Sequence, residues 1–155
     1  PSGPILDVAG GTGLLSFALA RRGLRSVTVD PRSSCGCLPS RARKAARKTG
    51  VAKLMGSHRA WFGGRLAGVD DAFAGAEDAV PDCDSEVVRR SAALVALHPD
   101  EATEAVVDAA LALRKPFLVV PCCVFARLFP HRQLADGRQV NTLSDFLEFL
   151  KAKHP

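Results

Sequence analysis

The sequence predicts an α/β fold built on an open, mostly parallel, doubly wound sheet. Three observations predict it. Short apolar runs alternate with segments of helical periodicity along most of the chain. A glycine-rich loop separates the first apolar run from the first helical segment. A carboxylate closes the second apolar run. In such sheets the loops that start helices lie along one edge, and ligands bind there.

The elements follow in order. Pro4-Ile5-Leu6-Asp7-Val8-Ala9 is a short apolar run ending in glycines, the pattern of a buried strand. Gly10-Gly11-Thr12-Gly13 is then a tight loop, and 14–22 reads as a helix closed by Gly23. Its Leu15, Ala18 and Leu19 share one face. Ser26-Val27-Thr28-Val29-Asp30 is a β-branched second strand, which completes the βαβ unit of a parallel sheet. Residues 32–39 read as loop, 40–49 as a basic helix closed by Gly50, and 51–62 as a weakly patterned third strand region. The Gly, Ala and Asp of 63–84 mark a loop or insertion. A buried strand is expected over 91–97 and a helix over 100–113, with Val106, Val107, Ala110 and Leu111 facing inward. Acids in its first turn and Arg114-Lys115 at its end suit the helix dipole, and Pro116 stops it. The run 117–120 is the next strand, leading into Pro121-Cys122-Cys123. The last helix is expected over 143–153, with Thr142 and Asp145 as a capping pair.

Composition narrows the class. With 155 residues the chain has room for one domain with its own core. Hydrophobic residues at 47% and charged residues at 24% suit a soluble globular protein. No apolar run approaches the roughly 20 residues of a membrane span, so no membrane partner is expected. The first residue is Pro1 and strand-like sequence follows at once, the look of a trimmed or processed piece with no targeting segment to read. Five cysteines are an odd number at low density, which points to a reducing compartment: cytoplasm, nucleus or organelle matrix. The net charge of +5 conceals an asymmetry. Between 31 and 69 there are nine basic residues and no acid, whereas 70–108 holds eleven acids against Arg89 and Arg90, a net of −9. The basic segment 41–48, carrying Arg41, Arg43, Lys44, Arg47 and Lys48, would steer a polyanion such as RNA or a ribonucleoprotein. The bland alternative is a solvated helix face.

The glycine loop carries the most information. Glycines let backbone approach a ligand closely, and the helix N-terminus behind them offers unpaired N–H groups. Asp30, 20 residues after Gly10, sits where a carboxylate accepts both hydroxyls of a ribose. Together these indicate a nucleoside-containing ligand. Gly11-Thr12-Gly13-Leu14-Leu15-Ser16 nearly fits a pyrophosphate clasp, but Asp7 just before the loop would repel that anion. It suits the ammonium end of a cationic ligand instead. A tight strand-to-helix turn without any ligand is the structural alternative.

At these residues the sequence resembles the class I, Rossmann-like methyltransferases. Ile5-Leu6-Asp7-Val8-Ala9-Gly10-Gly11-Thr12-Gly13 is similar to the first motif of that family, and Val27-Thr28-Val29-Asp30 to the second. The resemblance is good over 4–31 and looser over 91–125. It implies S-adenosylmethionine as cofactor, with Asp7, Gly10, Gly11 and Gly13 holding the methionine end and Asp30 the ribose. It also implies an acid after the third strand for the adenine, where this chain has His58, Arg59, Trp61 and Phe62, with Asp70 and Asp71 later. The single domain, 1–155, then divides into a cofactor half (4–62), a loop or insertion (63–90) and a substrate-edge half (91–155), with the family's last two strands missing.

The family's fourth strand ends beside the transferable methyl group, and here it ends in His98-Pro99-Asp100. His98 is a candidate general base, which Asp100 would orient; otherwise Pro99 and Asp100 only start the next helix. Cys122 and Cys123 reach the same edge, as thiols that line the pocket, act as nucleophiles or bind metal, or, as is commoner, as small buried hydrophobes. No metal site is expected, because Cys35-x-Cys37 with distant His58 or His131 forms no recognised ligand set. Two functions follow: a methyltransferase acting on RNA, or a methyltransferase-like subunit without catalysis that serves a ribonucleoprotein assembly.

Overall fold

The computed structural model describes residues 3–63 and 80–154, and the insertion expected over 63–84 falls mainly outside them. Five parallel strands make one sheet in the order β3-β2-β1-β4-β5: β1 Ile5–Val8, β2 Ser26–Val29, β3 Met55–His58, β4 Ala93–Leu97 and β5 Phe117–Val120. The fold is Rossmann-like α/β. Register is simple, with Ile5 opposite Ser26 on one side of β1 and opposite Ala93 on the other. Parallel strands need crossovers, and the helices supply them: α1 Leu14–Arg21, α2 Ser40–Lys48, α3 Ser85–Arg90 and α4 Thr103–Ala112. From β1 the chain steps outward through β2 to β3, then returns to β4 on the other side of β1. Right-handed crossovers place α1 and α2 on one face, and α3 and α4 on the other. The topological switch point therefore lies between β1 and β4, at their carboxyl ends.

The central strands are apolar because both of their faces are covered. Leu6, Val8, Val29, Leu94 and Ala96 are fully buried and pack with Val106 and Ala110 of α4. A second cluster joins Val107 to Leu134, Val140, Phe146 and Leu150. It seats the terminal helix α5, Leu143–Ala152, whose first turn carries the expected capping box. Asp145 N–H donates to Thr142 Oγ1 at 3.1 Å while Thr142 N–H donates to the Asp145 carboxylate at 2.9 Å.

Two details depart from the sequence reading. The helix expected from residue 100 begins as a tight 3₁₀ turn, Asp100–Ala102, before α4 proper. The short helix α3 was not anticipated. Asp84 caps it by accepting from Glu86 N–H at 2.7 Å, and acids begin it while Arg89 and Arg90 end it.

Candidate functional site

β1 delivers the chain to the sheet edge at Val8, and the turn that follows uses unusual backbone. Ala9 and Gly11 adopt φ of 53° and 56°, and Gly13 caps α1 at φ 83°. Gly13 N–H closes the loop on the Gly10 carbonyl at 2.9 Å. Asp7 lies beneath this loop, 1% exposed. Its carboxylate accepts from Ser16 N–H at 3.0 Å and from Ser16 Oγ at 2.9 Å, and Ser16 Oγ in turn accepts from Thr28 Oγ1. A Cβ on Gly10 would stand 2.5 Å from the Asp7 carboxyl carbon. Burial pushes the Asp7 carboxyl above its usual range, the two Ser16 hydrogen bonds partly offset this, and the nearby Asp30 charge adds to it.

Asp30 follows β2 directly and is 2% exposed. Its oxygens accept from Gly11 N–H at 2.9 Å, from Arg32 N–H at 3.0 Å, and from Arg32 Nε and Nη2 at 2.9 Å each. Burial pushes this carboxyl up, but the Arg32 and Gly11 donors outweigh it and hold it below the ordinary carboxylate value. The strand-end acid thus clamps the glycine loop while the Arg32 guanidinium lies across its outer face. Gly36 N–H also reaches the Gly11 carbonyl, at 2.9 Å, so the loop after β2 folds onto the glycine turn.

Beside this turn opens a cleft of about 400 Å³, within the size range of small-molecule sites. It sits at the switch point. Ala9, Asp30 and Arg32 form one side, and residues 99–102 with α4 form the other. Trp61 and Phe62 supply an aromatic wall where the chain leaves β3. That segment is fixed by pairing: Trp61 N–H donates to the Pro81 carbonyl at 2.9 Å, and Cys83 N–H donates to the Trp61 carbonyl at 2.7 Å. Asp30, Asp100, Glu101, Glu104 and Asp108 line the cleft, against Arg32 and His131. The lining is net acidic.

The sequence-predicted residues fall into three groups. Asp30 and Asp100 line the cleft. Asp7 and Gly10, Gly11 and Gly13 build the turn beside it but do not line it, with Asp7 engaged by Ser16. His98 is exposed, holds φ 53° at the end of β4 and does not line the cleft. Asp100, also left-handed at φ 49°, turns to Cys122, whose Sγ lies 3.3 Å from Asp100 Oδ1. Backbone of this kind is uncommon outside glycine and concentrates at functional edges. Glu104 and Asp108, on α4, were not anticipated as lining residues; each meets Lys153 Nζ at 2.8 Å, and Glu104 also meets the buried Arg132. The aromatic wall stands where the family resemblance implies an acid for adenine.

Fold and site together define a Rossmann-like α/β protein with an acidic, aromatic-walled ligand cleft at its switch point. Neither the protein-family models nor the curated proteins contain a match to this chain. No helix among the described residues is long and apolar enough to cross a membrane.

Proposed function

We propose that this protein is an S-adenosylmethionine-dependent methyltransferase, with RNA as its substrate. The observation that carries the reading is the charge of the cleft. Five carboxylates line a space walled by Trp61 and Phe62. Asp30 is paired with Arg32, and Glu104 and Asp108 with Lys153, so Asp100 and Glu101 give the lining its acidic character. Such a lining disfavours a pyrophosphate and suits a cationic, nucleoside-bearing guest. When bound, S-adenosylmethionine supplies an electrophilic methyl on a sulfonium, and its transfer to a nucleophile leaves a neutral thioether. The chain's own contribution is positioning and electrostatics. Trp61 and Phe62 offer faces for a base, an interaction worth about 1–3 kcal/mol. Asp30 offers its carboxylate to ribose hydroxyls once Arg32 swings aside. Asp100 is placed to take a proton from the acceptor, with His98 next to it at the strand end. Arg41, Arg43, Lys44, Arg47 and Lys48 are exposed along α2, a face that would track a phosphate backbone.

One observation favours the second reading, a methyltransferase-like subunit without catalysis in a ribonucleoprotein. Asp30 and Gly11 are already satisfied by the protein itself.

The chain has one tryptophan, Trp61, so its fluorescence reports on the cleft directly. Titration with S-adenosylhomocysteine is expected to change that emission saturably, with calorimetric heat to match, and NADH calorimetry is expected to give none. Silence in both measurements at millimolar S-adenosylhomocysteine would defeat the cofactor reading. Salt-sensitive RNA binding that weakens when Arg43 and Arg47 become Ala would support the substrate class; retention at high salt would oppose it.

A further inference from the structure

The sequence reading expected no metal site, judging from Cys35-x-Cys37 with distant His58 or His131; the fold brings a different set of side chains together. Asp100 ends the turn after β4 and Cys122-Cys123 follow β5, the neighbouring strand. Parallel pairing of Leu97 with Val120 brings the two strand ends side by side. One ligand atom from each of Asp100, Cys122 and Cys123 then lies within 4.8 Å of the others. We propose that these three residues form a binding site for a thiophilic divalent cation, zinc by preference.

One edge of the site is close to what the ion requires. Zinc bonds sulfur at about 2.3 Å and carboxylate oxygen at about 2.0–2.2 Å, so a tetrahedral S–O edge measures about 3.5 Å. The Cys122 Sγ to Asp100 Oδ1 distance is 3.3 Å. Two thiolates with one carboxylate are a ligand set that selects zinc over magnesium or calcium. Three protein ligands leave a fourth tetrahedral position open, the arrangement of reactive rather than structural zinc sites. Asp100 also lines the cleft whereas the two cysteines do not, so the site stands at the cleft's rim.

The backbone points the same way. Asp100 is held at φ 49° and Phe125, two residues past Cys123, at φ 51°. His98 N–H donates to the Val120 carbonyl at 3.0 Å, which locks the two strand ends in register just before both ligand segments. The Cys122 thiol donates to Asp100, a hydrogen bond that fixes the two ligand atoms side by side. A divalent cation displaces that proton, since a coordinated thiol is deprotonated outright. Two protons leave the thiols to solvent as the site fills, and Asp100 then serves as a ligand in place of the proton-accepting role proposed for it above. The site stands on the thiols and does not depend on the cofactor reading.

Cobalt(II) titration of the full, reduced chain tests it, with zinc competition. One equivalent is expected to raise an intense near-ultraviolet thiolate-to-cobalt band that zinc abolishes. Cys123→Ser and Asp100→Asn are expected to weaken affinity by more than the roughly 10–100-fold that loss of a supporting partner costs. Cys37→Ser, remote from the site, is expected to leave the band unchanged. Asp100→Asn changes an exposed side chain and leaves both thiols in place, so it remains informative if the cysteine variant fails to fold. Absence of the thiolate band in the wild-type chain would overturn the proposal. So would a band that survives both Cys123→Ser and Asp100→Asn.

Discussion

Replacing Gly10 by alanine tests how the glycine turn is built. The backbone itself allows the change, because Gly10 lies outside the positive-φ region that seven other described glycines occupy, Gly11 and Gly13 of the same turn among them. The new methyl, however, would sit 2.5 Å from the Asp7 carboxyl carbon and 2.6 Å from both oxygens. Ordinary contact needs about 3.5 Å, so something must move by about 1 Å. Asp7 has no room: it is 1% exposed and is held by Ser16 N–H at 3.0 Å and Ser16 Oγ at 2.9 Å. A retreat of that size stretches both hydrogen bonds past their useful range. Overpacking costs about 1–3 kcal/mol and a weakened hydrogen bond to a charged group about 1.5–3 kcal/mol. Because relaxation trades one against the other, Gly10→Ala is expected to lose about 2–4 kcal/mol. Urea unfolding at pH 7 measures it. Gly50→Ala, with nothing within 4 Å of its new Cβ, isolates backbone strain and is expected to lose about 1 kcal/mol. The decisive arm is the double variant. With Asp7→Ala already made, the Gly10 methyl has space, and the two changes are expected to couple by about 2 kcal/mol. Strict additivity, or a Gly10→Ala loss under about 0.5 kcal/mol, refutes the idea that Asp7 acts from beneath the loop.

The remaining predictions concern charge. Asp30→Ala is expected to weaken S-adenosylhomocysteine binding by about 1.5–3 kcal/mol, read by Trp61 fluorescence; unchanged affinity would remove Asp30 from the ribose contact. Arg132→Ala removes a guanidinium that is 1% exposed, stacked 3.5 Å from the Phe129 ring centre and bonded to Glu104 at 2.6 Å. It is expected to cost about 3 kcal/mol, the low end for a broken buried pair, because Lys153 still neutralises Glu104. Burial pushes the Glu104 carboxyl up, but Lys153 and Arg132 outweigh it and hold it below its ordinary 4.5. Its contribution is therefore present above that value and fades as pH falls through the lower folded one, so Glu104→Gln is expected to flatten the loss of stability below pH 4.5 in urea melts. An unchanged slope would mean that other carboxylates govern acid unfolding. Arg32→Ala is expected to change S-adenosylhomocysteine affinity less than about tenfold, as the loss of a half-exposed ion pair should.

Elements with their own local signal were legible in the sequence, and those made by distant partners were not. β1, α1 and β2 were readable because apolar runs, a glycine turn and β-branched residues all fall within 4–30. The α5 capping box was readable because Thr142 and Asp145 lie within one turn. β3 was only faintly visible: Met-Gly-Ser-His has no strand pattern, and it becomes a strand because it pairs with Ser26–Val29. The Glu104–Arg132 pair spans 28 residues and the Asp100–Cys122 contact 22, so no local spacing announces either. The aromatic wall was visible as residues but not as a wall, since Trp61 is placed by backbone bonds to Pro81 and Cys83. Asp7 shows the sharpest limit. Its position before the loop was evident, yet its charge is engaged by Ser16, nine residues on, so any cationic preference rests on the cleft's own acids, chiefly Asp100 and Glu101.

Whether Arg32 closes the site or merely rests on it decides between the two functional readings. The Arg32–Asp30 pair has good geometry, but the arginine is 54% exposed. Solvent can take over its guanidinium as it leaves, and pairs of this kind contribute about 0–1 kcal/mol. Asp30 is not stranded by that departure, because the Gly11 and Arg32 backbone N–H groups still donate to it. Two ribose hydroxyls would restore the donors it loses. The exchange is close to neutral, whereas stacking of a base on Trp61 adds about 1–3 kcal/mol. On the proposed function, Arg32 is thus a removable cover over Asp30. Occupation of Asp30 by its neighbour in sequence is weak ground for calling the cleft inert.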